Sequence, residues 1–473
     1  MRSQAMFFQS RAETKARDLG IRKKLDGAKS LFVGKRRLGM DALAADELNF
    51  PELRDASKAI RDKVVANLDV WLEIFEEQAL ATGAEVLWAR DGAEVARLAV
   101  EIAQRHGVKK VVKSKSMLSE EADLNAAFEA AGIASIETDL GEYIVQLAKE
   151  PPSHIIAPAM HKSRDDVADL FVEHHGKPRQ TDIPALSREA REVLRQHFLS
   201  ADMGITGANF LVAETGSAAL VTNEGNGRMV TTLPRLHVVI TGIEKIIPSL
   251  NDLATLMRIL PRSATGQSIS NYVSLLTGHR REGETEGPEK TIFILVDNGR
   301  AGLVGTEFQP MLRCIRCGAC MNHCPVFSTV GGHAYGWVYP GPMGSVLTPL
   351  YTGLKNARDL PHASTGCNQC GVVCPVGIPL PDLMHRLRRQ GVEQGLRPWS
   401  ERLGFKAWAW VARRPALYRG VTGLARRYLK WLANGEDRIQ VLGLAPGWTE
   451  GRDLAVPAPK GFLALYQARK KTK

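Results

Sequence analysis

"CIRCGACMNHCP", Cys314–Pro325, is answered later in the chain by "STGCNQCGVVCP", Ser364–Pro375. Both stretches contain C-x2-C-x3-C-P, but where the first opens on Cys314 the second has Ser364. C-x2-C-x2-C-x3-C-P is the run that bacterial ferredoxins use to hold iron–sulfur clusters. Two-residue gaps let thiolates on a tight loop converge on one cluster, and the amides of Ile315, Gly318 and Ala319 are placed to point at the sulfurs. Gly318 permits the close backbone approach. The last cysteine of each run, followed by proline, is carried away from its neighbours to the other cluster. Applied to both motifs, this crossing assigns Cys314, Cys317, Cys320 and Cys374 to one four-thiolate site. Cys324, Cys367 and Cys370 form a second site, whose fourth position falls on Ser364.

Zinc also accepts C-x2-C pairs. The crowding of four cysteines between 314 and 324, with two Cys-Pro endings, favours clusters. For the three-thiolate site three readings compete: a [4Fe-4S] cluster with Ser364 or an external group at the fourth iron, a [3Fe-4S] cluster, or a decayed empty site. Three retained thiolates argue against decay, and [4Fe-4S] is the expected form, more easily oxidised than a four-thiolate cluster. His323 and His333 lie near the clusters without ligand spacing, so packing or hydrogen bonding is their expected role.

All seven cysteines fall between Cys314 and Cys374, and an odd number so tightly grouped argues for metal ligands over disulfides. Around them the chain is charge-free: Cys317 to Leu354 contains no Asp, Glu, Lys or Arg but many Gly, Pro and Cys. That run is too broken to be a membrane helix and suits the dry packing around a buried cofactor. The 473 residues are 44% hydrophobic and 24% charged, the balance of a globular protein with room for several domains. Net charge is +11, and it belongs to the tail: from Leu383 onward there are 19 Lys and Arg against 6 Asp and Glu. The opening "MRSQAMFFQSRAETKARDLG" carries acids and lacks a secretory apolar core. No apolar stretch reaches the roughly 18 residues of a bilayer span. A cytoplasmic protein without transmembrane segments is expected.

Residues 1–55 read as a helical, basic leader, a solvated cap in preference to an element packed on the next domain or on a partner. From 56 to 300 strand-like and helix-like patterns alternate, the rhythm of an α/β layer with an open, largely parallel sheet. "EVLWA" (85–89), "VKKVVKS", "SIETDL", "SHIIAP" (153–158), "SAALVTNEG", "LHVVITGIEKII" and "TIFILVD" read as strands, and "GAEVARLAVEIAQRHG" as a helix. Residues 301–392 carry the cysteine motifs and a helix with Leu380, Leu383, Met384 and Leu387 on one face. Residues 393–473 read as a basic, tryptophan-rich extension of amphipathic helices broken at Pro415, holding five of the eight tryptophans.

Outside the cysteines the most site-like stretch is "AETGSAALVTNEGNGR", Ala213–Arg228. Glu214, Thr215, Gly216 and Ser217 are candidates for an anion-binding turn. Asn223, Glu224, Asn226 and Arg228 sit on a glycine-rich loop, with Arg228 a candidate carboxylate fork and His237 a candidate base. The competing reading is an ordinary hairpin. Lys113, Lys115 and Ser119–Glu121 follow a strand, where open α/β sheets bind ligands, although lysines there are more often solvated. Neither G-x-G-x-x-G after a strand nor G-x-x-x-x-G-K-[ST] occurs, so no self-contained nucleotide site is indicated.

Taken together, "VKSKSMLSEEADLNAAFEAAGIASIETDLGEYIVQLA", "PSHIIAPAMHKS", "GITGANFLVAETGSAALVTNEGNGRM", "GGHAYGWVYPGPMGSVLTP" and the two cysteine motifs resemble the lactate utilisation protein B family. The resemblance covers most of residues 60–390 and is weaker in the tail. It implies a LUD α/β domain similar to the sugar-phosphate isomerase and CoA-transferase superfold, an α-helical dicluster ferredoxin domain and a C-terminal extension. It further implies two [4Fe-4S] clusters relaying electrons in a cytoplasmic system that oxidises L-lactate to pyruvate with two other subunits, and a serine at the position of Ser364 as usual for the family. The rival readings are a catalytic α-hydroxy-acid dehydrogenase with its substrate in the LUD domain and a redox-sensing cluster scaffold. For the basic tail an acidic partner subunit is the first expectation, a membrane surface the second and nucleic acid the last; no nucleic-acid role is expected.

Overall fold

Lys290–Val296, KTIFILV, shows no polar alternation because protein covers both of its faces. In the computed structural model, which describes residues 3–443 and 445–471, this segment is the last of ten strands in the first 300 residues. In chain order they are β1 (Glu85–Ala89), β2 (Lys110–Lys113), β3 (Ala134–Glu137), β4 (Met203–Thr206), β5 (Phe210–Val212), β6 (Ser217–Thr222), β7 (Leu236–Gly242), β8 (Ile246–Ile247), β9 (Tyr272–Leu276) and β10 (Lys290–Val296). The main sheet runs β1-β10-β7-β4-β2-β3, and every neighbouring pair is parallel. Val239 stands opposite Phe293, and Ile205 opposite Val238. The chain steps from β2 to β3 on one side and places β4, β7 and β10 on the other. The strand order therefore reverses between β2 and β4, which opens a crevice at their carboxyl ends.

Helices cover both faces. The helix Gly92–Arg105 starts where the Asp91 carboxylate accepts from the Glu94 amide at 2.9 Å, and its 3.6-residue spacing buries Val95, Ala99, Ile102 and Ala103 against one face of the sheet. On the other face the helix Leu68–Ala81 sets Phe75 edge-on to Phe293, ring centroids 5.2 Å apart. A second, four-stranded sheet, β8-β5-β6-β9, contains the antiparallel β5–β6 pair.

One expected strand is absent. "SHIIAP" forms bends, because the His154 ring turns back to accept from the Ile156 and Ala157 amides at 2.9 and 3.0 Å, while the Ser153 amide and hydroxyl both donate to the Pro158 carbonyl. Side chains here take the hydrogen bonds that a ladder would have used.

Beyond residue 300 short helices carry the cysteines. The charge-free run includes the helix Gly341–Thr352, buried from Gly341 to Pro349, and Leu380, Leu383, Met384 and Leu387 of the helix Leu380–Glu393 point inward as their spacing predicts. One core joins this part to the second sheet, from Phe210 and Leu256 to Phe327, Tyr339 and Leu383.

The leader packs instead of standing off as a solvated cap. Phe8 lies 5.1 Å from the Tyr335 ring, Ala5 and Leu25 are buried, and Arg36 donates to the Val373 carbonyl at 3.1 Å. Its inward face is sparse, since within Leu19–Asp41 only Leu25 and Gly39 are buried, so charge conceals it in the sequence. Gly39 is required there: a Cβ would come within 2.4 Å of the Gly266 carbonyl oxygen.

Residues 395–473 form a separate compact unit. It holds the helices Trp399–Ala412, Pro415–Ala433 and Phe462–Lys471, with Pro415 opening the second helix. Trp399, Trp408 and Trp431 are exposed, while Arg414 and Arg452 lie over the Trp410 and Trp448 rings. Among the described residues no helix is long and apolar enough to cross a membrane.

Candidate functional site

The two cysteine loops have one backbone design. In the first, Arg316 and Gly318 flank Cys317 with φ of +57° and +73°; in the second, Gly366 and Asn368 flank Cys367 with φ of +74° and +59°. A four-residue helix follows each, Ala319–Asn322 and Gln369–Val372. This equivalence sets Ser364 at the place of Cys314. The Ser364 hydroxyl accepts from the Gly366 amide at 3.1 Å, so it is engaged in shaping its own turn.

All seven cysteines are free of disulfides; Cys317, Cys324, Cys370 and Cys374 are buried, and Cys367 is exposed. Burial pushes the Cys317 and Cys370 thiols up to about 12 and Cys374 to about 11. Backbone and Thr365 hydrogen bonds lower Cys367. Cys314 acts on Cys374, and Cys374 acts on Cys317 and Cys320; Cys324 and Cys367 act on Cys370, which in turn acts on Cys320. The Phe327 amide reaches the Cys324 sulfur at 3.5 Å and the Ile378 amide the Cys374 sulfur at 3.3 Å, the donors that an anionic sulfur needs. Among the described residues, the only three ligand-type atoms within 4.8 Å of one another belong to Glu150, His161 and His333. Sulfurs around one tetrahedral zinc stand roughly 3.8 Å apart, so the cysteines are too widely set to share such an ion. The donor set fits the larger body of an iron–sulfur cluster. His323 and His333 contact the Ala319 and Pro151 carbonyls at 2.9 and 2.8 Å, which accords with their expected hydrogen-bonding role.

Beside the first loop lies a cavity of about 300 Å³. Its floor is the crevice at the order reversal: Ser114–Leu118 follow β2, Gly207–Asn209 follow β4, and Thr241–Gly242 end β7. Its far wall is Arg316, from the cysteine loop itself, together with Tyr339. Buried ion pairs hold this wall. Arg300 forks onto Glu121 at 2.8 and 3.2 Å and reaches Glu244 at 2.6 Å. Arg316 meets Glu244 at 3.3 Å and lies 4.5 Å over the Tyr339 ring, whose hydroxyl donates to Glu121. Burial alone would raise the Glu244 carboxyl, but Arg300 and Arg316 outweigh it and hold Glu244 down at about 2. Next to it, Lys245 lines the cavity, and burial followed by Arg316 brings its ammonium down to about 8.

The sequence candidates are dispersed. Asn223, Glu224, Asn226 and Lys115 line the cavity, and Glu121 anchors its wall. Lys113 is buried against Glu137 and Asn125 instead. Glu214 accepts from the Leu250 amide, and Ser217 pairs with Thr277 at 2.6 Å, so that turn serves structure. Arg228 stacks 4.9 Å over Tyr272, and His237 is enclosed against Thr206 at 3.0 Å. Lys245, Arg300 and Arg316 escape sequence reading. Their only signal is a charged residue soon after a buried parallel strand, or inside a cysteine spacer.

Comparison with known proteins agrees with this layout. Residues 72–296 match the LUD domain, 310–378 the 4Fe-4S dicluster domain, and 384–471 the C-terminal domain of lactate utilisation protein B. The chain is similar to Lactate utilization protein B of Lysinibacillus sphaericus, 41% identical over 466 residues that cover 98% of this chain and 97% of the relative. Lactate utilization protein B of Bacillus subtilis is 43% identical over 434 residues, 90% of each chain. The "Uncharacterized electron transport protein YkgF" of Escherichia coli is 40% identical over 460 residues, 97% of this chain and 96% of that one.

Proposed function

The chain belongs to the lactate utilization protein B family, and from that premise we propose that it is an iron–sulfur electron-transfer component of a cytoplasmic, multi-protein system that oxidises L-lactate to pyruvate. Cys314, Cys317, Cys320 and Cys374 would hold one [4Fe-4S] cluster. Cys324, Cys367 and Cys370 would hold the second, as [4Fe-4S] with a non-cysteine group at the fourth iron or as [3Fe-4S]. The observation that carries this reading is the shared backbone design of the two cysteine loops, whose buried Cys317, Cys324, Cys370 and Cys374 lie in one core.

Such clusters, when bound, supply one-electron carriers. Converting lactate to pyruvate releases two electrons and two protons, so a partner bearing a flavin or a further cluster must divide the pair. The chain's own part is positional. Amides of Phe327 and Ile378 stabilise sulfur charge, and apolar burial keeps solvent from the Cys317 and Cys374 side. The exposed loop from Thr365 to Gln369, carrying Cys367, is the natural face for exchange with the two other subunits.

Anaerobic addition of L-lactate to the cluster-loaded protein tests this. Bleaching of the cluster absorbance that requires the partner proteins supports a relay, and clusters that stay oxidised with partners present would sink it. Bleaching in the isolated chain would favour a dehydrogenase, the reading to which the cavity beside the Cys314 loop lends weight.

A further inference from the structure

The cavity lies between the α/β sheet and the first cysteine loop, mixes polar and apolar lining, and has an uneven distribution of charge. Arg300, Arg316, Glu121 and Glu244 neutralise one another through the contacts described above. Lys245 stands outside this quartet. It lines the cavity and has neither a hydrogen bond nor an ion pair among the described residues. Arg61, fully buried close by, donates to the carbonyls of Glu244, Ile246 and Leu312, and shares the Glu244 carboxylate with Arg300 and Arg316 as its nearby negative charge. The opposite end differs. Lys115 donates to the Ile156 carbonyl at 2.7 Å and shares its surroundings with Asp139 and Glu224, the latter accepting from the Leu140 amide at 3.1 Å. One end therefore attracts an anion, and the other repels a second one.

Arg316 gives independent support. It occupies the left-handed position that the sister loop gives to Gly366, a conformation unfavourable for a non-glycine residue. The guanidinium held there by Glu244 and Tyr339 faces the cavity. Neutral polar residues complete the lining: Asn209, whose Oδ1 accepts from the Val221 amide at 2.9 Å, and Thr241 near the end of β7.

We propose that this cavity binds a small 2-hydroxy- or 2-oxo-monocarboxylate, with its carboxylate on Lys245 beside the Cys314 loop and its neutral oxygen toward Asn209 and Thr241. The assignment rests on the lactate reading above and adds that the acid binds this chain itself. An anion seated there also places negative charge next to the cluster held by Cys314, which lowers its midpoint potential.

The test uses the cluster-loaded full-length chain, without partners and without oxygen. L-lactate and pyruvate are titrated by calorimetry, with inorganic phosphate, succinate and glycerol as comparison probes, and cluster potentials are read by EPR. Lactate or pyruvate should bind in preference to all three, and pyruvate should lower one of the two potentials. Lys245→Met should weaken binding roughly ten- to a hundred-fold, the loss expected for one charge-assisted hydrogen bond. Thr241→Val should weaken it less, which keeps a readout if the lysine variant loses iron. Equal or tighter binding of phosphate or succinate overturns the proposal. So does a Lys245→Met protein that binds pyruvate normally and shows only an altered potential, since the lysine would then merely balance cluster charge. A chain that binds neither acid, yet is reduced by lactate when partners are added, refutes this inference and leaves the electron-transfer reading standing.

Discussion

Ser364 and Cys314 hold the same place in two copies of one loop, but the hydroxyl of Ser364 is committed to the Gly366 amide. Cys314→Ala should therefore remove about half of the iron bound per chain, whereas Ser364→Ala should leave the iron content unchanged, as measured by iron quantification beside EPR. A serine variant that loses half of its iron would show that the oxygen is a ligand. Arg316 permits a sharper trial, because the sister loop already demonstrates that glycine suits its backbone. Arg316→Gly should keep the clusters and lower the midpoint potential of the one beside it, since a positive charge that favours the added electron is gone. Had the role of Arg316 been only to shape the turn, the potential would not move.

At the scale of elements, the join between the α/β part and the cysteine part is backbone against backbone. A Cβ on Gly332 would stand 1.8 Å from the Ser153 carbonyl oxygen, within the bend that replaces an expected strand. Gly332→Ala should cost about 3 kcal/mol by thermal or urea unfolding, the upper range for overpacking. Gly302→Ala, with nothing within 4 Å of its Cβ, should stay within about 0.5 kcal/mol of the parent. That bend also marks what the sequence conceals. The strand TIFILVD is legible because a parallel strand buried on both faces is a continuous apolar run, and the edge strand EVLWA because it is short, apolar and closed by a helix cap at Asp91. SHIIAP has the same composition, but a histidine ring satisfies its amides locally. The cysteine pairing was legible because it depends on spacing within short loops. The cavity was not, since Lys115, Lys245, Arg300 and Arg316 meet only when the sheet order brings them together.

Across the whole molecule, two enclosed histidines tie stability to pH. Burial lowers both His154 and His237 from 6.5 to about 4, so each stays neutral in the fold. Below pH 6.5 the unfolded chain takes up protons that the folded chain refuses. Stability present above pH 6.5 is thus lost as pH falls toward 4, by about 2 kcal/mol for each histidine between pH 7 and 5. Urea denaturation at the two pH values should show this loss, and His237→Gln should reduce it by about 2 kcal/mol. The strand order has a separate consequence for how the protein is made. Because β10 lies between β1 and β7, the sheet stays incomplete until residue 296 has left the ribosome, and the cysteine segment emerges later still. Phe8 and Leu25, synthesised first, rest on that late segment and so remain uncovered through most of translation.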